Sequence, residues 1–199
     1  MCVATGHRGT LSAADWSEAA LVALARGGLA AVAVEPLAKE LGATKGSFYW
    51  HFADRNELLV STLGLWEQRD TVRVIGAIGE TGDAAARLRT LLRGAFASVP
   101  VGSEGSVGRV ELALQASASH PLVAPVLARV TQRRLAFLTR LYTELGLSPA
   151  RARDRGLLAY TAFLGHAQLA HATPEVLPRG RAFSAHVDQV TETLMRLGG

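Results

Sequence analysis

Residues 41–58 read LGATKGSFYWHFADRNEL, and this stretch decides the fold. Phe48, Tyr49, Trp50, His51 and Phe52 stand in one unbroken string, in a chain that is only 6% aromatic. Placed on a helix at about 100° per residue, Phe48 and Phe52 are i, i+4 neighbours on one face. Lys45 and Tyr49 form a second pair about 60–100° away. Ser47 and His51 fall on the opposite flank, and Gly46 with Trp50 lie across from the phenylalanines. One side of the segment is therefore greasy, while the rest shows hydrogen-bond donors and flat rings. Phe48 and Phe52 are expected to bury against Leu21, Leu24, Leu37, Leu41 and Leu58.

The flanking sequence supplies the punctuation of short helices. Thr44 is placed to cap the segment by accepting a bond from a free N–H of its first turn. Gly42 stops a preceding helix expected over 36–41, with Pro36 suited to its first position. Upstream, Ser12-Ala13-Ala14-Asp15 is a capping box, and Gly27-Gly28 closes the helix it opens. Downstream, Asp54-x-x-Glu57 is a second box, predicting a long helix through Leu58, Leu59, Leu63 and Trp66 to about Ile75. Helix, glycine-containing turn, helix, with donors on the second helix, is a helix-turn-helix arrangement.

That arrangement suits double-stranded DNA. Lys45, Ser47, Tyr49 and His51 can donate to phosphate oxygens or base edges. Gly46 keeps the helix slim, Tyr49 and Trp50 offer apolar surface to thymine methyls and sugars, and Arg55 can hold the flanking backbone. Bulk charge says less. The chain of 199 residues carries net charge +4, yet residues 1–56 hold five basic and five acidic side chains. Recognition must rest on where a few cations point. Glu35 would meet phosphate unfavourably, so it is expected to point elsewhere or to read a cytosine amine.

The stretch VEPLAKELGATKGSFYWHFADRNELL resembles the DNA-binding module of TetR-family transcriptional regulators. The positions that carry the likeness are Leu37-Ala38, Gly42, Ala43, Thr44, Lys45-Gly46, Tyr49, His51-Phe52 and Asp54. The resemblance covers roughly the first 60 residues. It implies phosphate contacts by Lys45, Tyr49 and His51, and base or groove contacts around Thr44, Ser47 and Trp50. Ala43 departs from the larger Val common there, and Ala33 stands where a Ser or Thr cap often begins the second helix.

Breaks at 76–83, 100–108, 119–121, 145–149 and 173–180 leave helical stretches of roughly 84–98, 107–118, 122–145, 150–171 and 181–197. No stretch alternates as a strand would. The expected fold is all-α with about nine helices. Residues 1–57 form a helix-turn-helix domain and 58–199 a helical bundle for ligand binding and dimerisation. By resemblance, the homodimer would form through 150–171 and 181–197. Gly156 to Ala170 is nearly uncharged, and a helix apolar all round is buried on more than one side. Small residues Ala159, Ala162, Gly165 and Ala167 would allow close approach. A twofold dimer also matches a palindromic operator, whose half-sites lie roughly 34 Å apart.

Candidates for an effector pocket among the middle helices are Trp66, Phe96, Leu112, Leu114, Phe137, Leu141, Tyr160, Phe163 and His166. Their character suggests an apolar or aromatic small molecule that releases a repressor from DNA. His166 and His171, five apart, are poorly spaced for one metal ion, and His120 reads as a local cap or turn residue. No cofactor is implied. No phosphate-cradling glycine loop or nucleophile elbow occurs, and single carboxylates on the Arg-rich helices read as solvated ion pairs. The competing class is a helical small-molecule-binding protein or enzyme without operator binding.

A lone cysteine, Cys2, excludes an intrachain disulfide framework. The first residues lack the pattern of a secretory signal, and no apolar run is long enough to span a bilayer. Together these favour the cytoplasm.

Overall fold

The computed structural model describes residues 11–79, 82–99 and 107–197, in which every regular element is helical. Cys2 and parts of the breaks at 76–83 and 100–108 lie outside the described residues. Ten α-helical segments follow one another: α1 (Ala13–Ala31), α2 (Val34–Glu40), α3 (Lys45–Tyr49), α4 (Arg55–Glu67), α5 (Arg73–Gly79), α6 (Ala84–Ala97), α7 (Val107–Gln115), α8 (Val123–Glu144), α9 (Pro149–Ala172) and α10 (Arg181–Met195). A π-helical turn, Gln68–Val72, joins α4 to α5 as one continuous rod, leaving nine rods among the described residues.

The caps form where the sequence places them. Ser12 Oγ accepts from Asp15 N at 3.3 Å while Asp15 Oδ2 accepts from Ser12 N at 2.8 Å. Asp54 Oδ1 accepts from Glu57 N at 2.9 Å, and Glu57 reaches back one residue further, to Ala53 N. Helix α1 is broken at Gly27 and Gly28, where Gly28 takes φ +66°, and a final turn carries it to Ala31. Helix α2 begins two residues before Pro36, with Ala33 giving no side-chain cap. Its end needs Gly42, whose φ of +62° is the left-handed conformation that a side chain resists.

Two apolar cores organise the molecule. The first joins Trp16, Leu21, Leu24, Leu37, Phe48, Phe52 and Leu58 with Leu63 and Trp66 of α4, Val110 and Leu114 of α7, and Val123, Leu127 and Val130 of α8. The second fills the space between α6, α8, α9 and α10. The first core thus takes in residues on both sides of residue 57, with α1 lying against both α4 and α7. Across the second core, Gly156 lets α9 close on α8. A Cβ there would stand 3.2 Å from Thr139 Oγ1 and 3.3 Å from Leu138 Cβ. Gly165 lies on the outward side of α9, with no atom of the described chain within 4 Å of a Cβ built there.

Ion pairs brace the rod against its neighbours. Glu67 on α4 accepts from Arg129 Nε at 3.0 Å and from Arg129 Nη2 at 2.5 Å, with Arg133 Nη1 at 3.4 Å. Hydrogen bonds from Arg129 hold the Glu67 carboxyl below the usual carboxylate range, against the opposing effect of its burial. Arg69 reaches Glu18 of α1 at 3.3 Å. On α10, Asp188 and Glu192 pair with Arg93 and Arg89 of α6.

Candidate nucleic-acid interface and ligand cavity

The opening string is divided as the helical geometry requires. Phe48 is fully buried and Phe52 nearly so. Phe48 meets Trp16 edge-on with centroids 5.3 Å apart and stacks on Phe52 at 5.5 Å. Burying one such ring contributes roughly 1.5–3 kcal/mol. With these two rings inside, the other flank is forced out: Tyr49 is 61% exposed and Trp50 87% exposed. A tryptophan this exposed contributes little to the chain's own core. Thr44 caps α3 by accepting from Ser47 N at 3.2 Å and stays exposed. Gly46 is exposed, and Ser47 and His51 are half-buried on the flank. No atom of the chain crowds a Cβ at Gly46, the nearest being Thr44 Oγ1 at 3.6 Å. The fold itself does not demand a glycine there.

Two cations behave differently from expectation. Lys45 is exposed but ion-paired with Glu35 of α2. Their hydrogen bond raises the Lys45 pKa and lowers that of Glu35. Glu35 therefore neutralises the cation next to it. Arg55 is not a free backbone clamp. Its Nε donates to Val32 O at 2.6 Å and its Nη2 to Leu29 O at 2.5 Å. Those carbonyls belong to the broken end of α1, which leaves acceptors that a guanidinium fork can satisfy. Arg55 ties α4 to α1 through its Nε and Nη2.

A cavity of about 310 Å³ opens among α5, α6, α8 and α9. Phe96, Phe137, Tyr160 and Phe163 line it, as the sequence suggested. Trp66, Leu112, Leu114, Leu141 and His166 do not. Trp66 and Leu114 are core residues beneath the reading head, because α4 and α7 bury that face against α1. Leu141 is fully buried in the second core, and Leu112 packs beside it. His166 turns toward α10, between Phe96, Phe183 and His186, and burial lowers its pKa. His120 closes a local turn, its Nδ1 accepting from Leu122 N at 3.3 Å.

The cavity's polar end was not visible in the sequence. Glu111, fully buried, accepts from Arg134 Nη1 at 2.6 Å and from the Tyr160 hydroxyl at 3.1 Å. Arg134 Nε donates to Thr71 Oγ1 at 2.9 Å, and the guanidinium lies 5.4 Å over the Trp66 ring. Burial, reinforced by the Glu111 charge, raises the Tyr160 pKa. Glu111 is thus no solvated carboxylate. One hint lay in the sequence: a single acid inside the apolar run Val110 to Leu114. A lone charge in such a run needs a buried partner. Among the described residues no group of three or more metal-ligating side chains comes together.

The outward face of α9 carries Leu157, Leu158 and Leu169, all about half exposed, with Val176 just beyond the helix. The outward face of α10 is polar by contrast. No helix among the described residues is long and apolar enough to cross a membrane.

Residues 18–62 match the sequence model of the bacterial regulatory proteins of the tetR family. That segment is a TetR-family DNA-binding module. The likeness in fold runs well past the matched segment. A transcriptional regulator from Rhodococcus sp. Rha1 shares 19% identity over 93% of this chain and 96% of its own, with a TM-score of 0.71. FadR from Bacillus subtilis, crystallised with stearoyl-CoA, shares 18% identity over 94% and 99% of the two chains at a TM-score of 0.69. AibR, crystallised with isovaleryl coenzyme A and operator DNA, shares 18% identity over 92% and 97% at a TM-score of 0.68. No curated protein matches the chain by sequence.

Proposed function

We propose that this TetR-family protein is a repressor that binds a palindromic operator as a homodimer and lets go when a small, mainly apolar effector enters the cavity. The observation that carries this reading is the placement of Tyr49 and Trp50 in solvent on a helix anchored by Phe48 and Phe52. Thr44, Gly46, Ser47, Tyr49, Trp50 and His51 form the proposed DNA-facing set, with Lys45 joining once a phosphate competes with Glu35. The exposed leucines of α9 support a dimer seam there, with α10 alongside, and a dimer presents two reading heads to two half-sites. A partner of this kind places the protein in the cytoplasm.

The rod of α4, the π turn and α5 begins beside α3 and ends in the cavity wall, where Val74, Ile75 and Ile78 stand. It is the natural lever between effector and operator. An effector shifts the balance only by its preference for one state over the other. Moving from mostly bound to mostly free takes about 5.5 kcal/mol of such preference. The complexes of FadR with stearoyl-CoA and of AibR with isovaleryl coenzyme A support an effector with an apolar part. A gel-shift titration against the DNA upstream of the protein's own gene tests the proposal. A shifted band at low salt that fades steeply as salt rises is expected, because phosphate contacts release counterions. No binding at low salt would contradict it.

A further inference from the structure

The cavity wall is mostly apolar, and one of its few polar residues has unfinished chemistry. Asp70 sits in the π turn, lines the cavity, and has a side chain only 4% exposed. Its Oδ1 accepts from Arg69 Nε at 3.1 Å, while its Oδ2 is buried without a hydrogen-bond partner among the described residues. A buried carboxylate oxygen left unpaired is costly, so a ligand that supplies a donor there gains more than from an ordinary hydrogen bond. The surrounding charges are already matched. Glu111 is answered by Arg134, and Asp70 by Arg69. An ionised ligand would add uncompensated charge to an otherwise apolar cavity.

We infer that the effector is a neutral, mainly apolar molecule bearing a hydroxyl, an alcohol or phenol, whose O–H donates to Asp70 Oδ2 while its hydrocarbon body lies against Phe96, Phe137 and Phe163. This rests on the reading of the cavity as the effector site and specifies what it selects. A hydroxyl suits the position because it both donates and accepts, with Thr71 and Tyr160 also in the wall. A carboxylate offers only acceptors and meets Asp70 with like charge. Burial raises the Asp70 pKa, in keeping with a carboxyl short of partners. Its place in the π turn puts the contact on the lever itself, and π turns inside helices recur at functional sites.

Isothermal titration calorimetry of the full chain with 4-pentylphenol, its methyl ether and 4-pentylbenzoate tests the inference. The phenol should bind about tenfold or more tightly than the ether, and the benzoate most weakly. Asp70→Asn should bring the phenol to within about threefold of the ether while leaving the ether's affinity unchanged, and Ala95→Trp, which fills the cavity from α6, should abolish binding of both. Equal affinities for phenol and ether in the unaltered protein, or tightest binding of the benzoate, would overturn the hydroxyl assignment alone. Binding that survives Ala95→Trp, or no binding of any of the three, would overturn it together with the cavity reading.

Discussion

In α1–α4 the large aromatics press on one another beneath the surface, Trp16 on Phe48 and Phe48 on Phe52. In α5–α9 the aromatics Phe96, Phe137, Tyr160 and Phe163 instead stand around open space. The same side chains thus do opposite work in the two regions. The head is filled from inside so that its outer flank is held rigid for display. The bundle is left incompletely filled so that something else can complete it. Between them runs one rod, packed into the first core at Leu58, Leu63 and Trp66 and lining the cavity after its π turn.

The comparison breaks most visibly if the head's filling is removed. Phe48→Ala should cost about 3–5 kcal/mol and take DNA binding with it, read by chemical denaturation and gel shift. Were stability to hold while DNA binding failed, Phe48 would belong to the display rather than the core. Next in size is Leu157→Glu on the exposed face of α9. It should turn the proposed dimer into a monomer by light scattering and weaken operator binding tenfold or more, with the helical content unchanged. A dimer that persists would move the seam elsewhere.

Smaller effects sharpen the contrast. Glu35→Gln should free Lys45, tighten DNA binding about two- to fivefold at low salt and steepen the salt slope by about 0.9, one phosphate contact. In the bundle, Asp70 offers a test by pH. Burial raises its folded pKa above the ordinary 3.8, so its ionised form costs stability. That cost is fully present above the folded pKa and disappears as pH falls below the unfolded one. Asp70→Asn should therefore be the more stable protein near pH 8, with the difference shrinking toward pH 4 in thermal melts.

Much of the head was legible because its signals are local. Caps at Ser12, Thr44 and Asp54, the stop at Gly42 and the i, i+4 phenylalanines each act within one turn of helix, so the sequence displays them directly. The bracing role of Arg55 was not legible, because its partners, Leu29 and Val32, are carbonyls of a helix end more than twenty residues away. The bundle's helices were legible within a few residues, but its cavity was only half so. Which face of α4, α7 and α8 meets which neighbour is a matter of tertiary packing, and that alone sent Trp66, Leu114 and Leu141 into core. The π turn carries no local signature in QRDTV, yet it places Asp70 and Thr71 at the polar end. The buried Glu111–Arg134 pair joins residues 23 apart on different helices, beyond the reach of periodicity.

The most direct test is a fluorescence anisotropy titration of the upstream duplex with the protein carrying both Tyr49→Phe and His51→Ala, run beside a thermal melt and light scattering. Loss of affinity by about tenfold or more, with the melting temperature and dimer unchanged, is the expected result. Undiminished affinity, or a melt or dimer that collapses with the substitutions, would show that the outward flank of α3 serves the fold and not the groove.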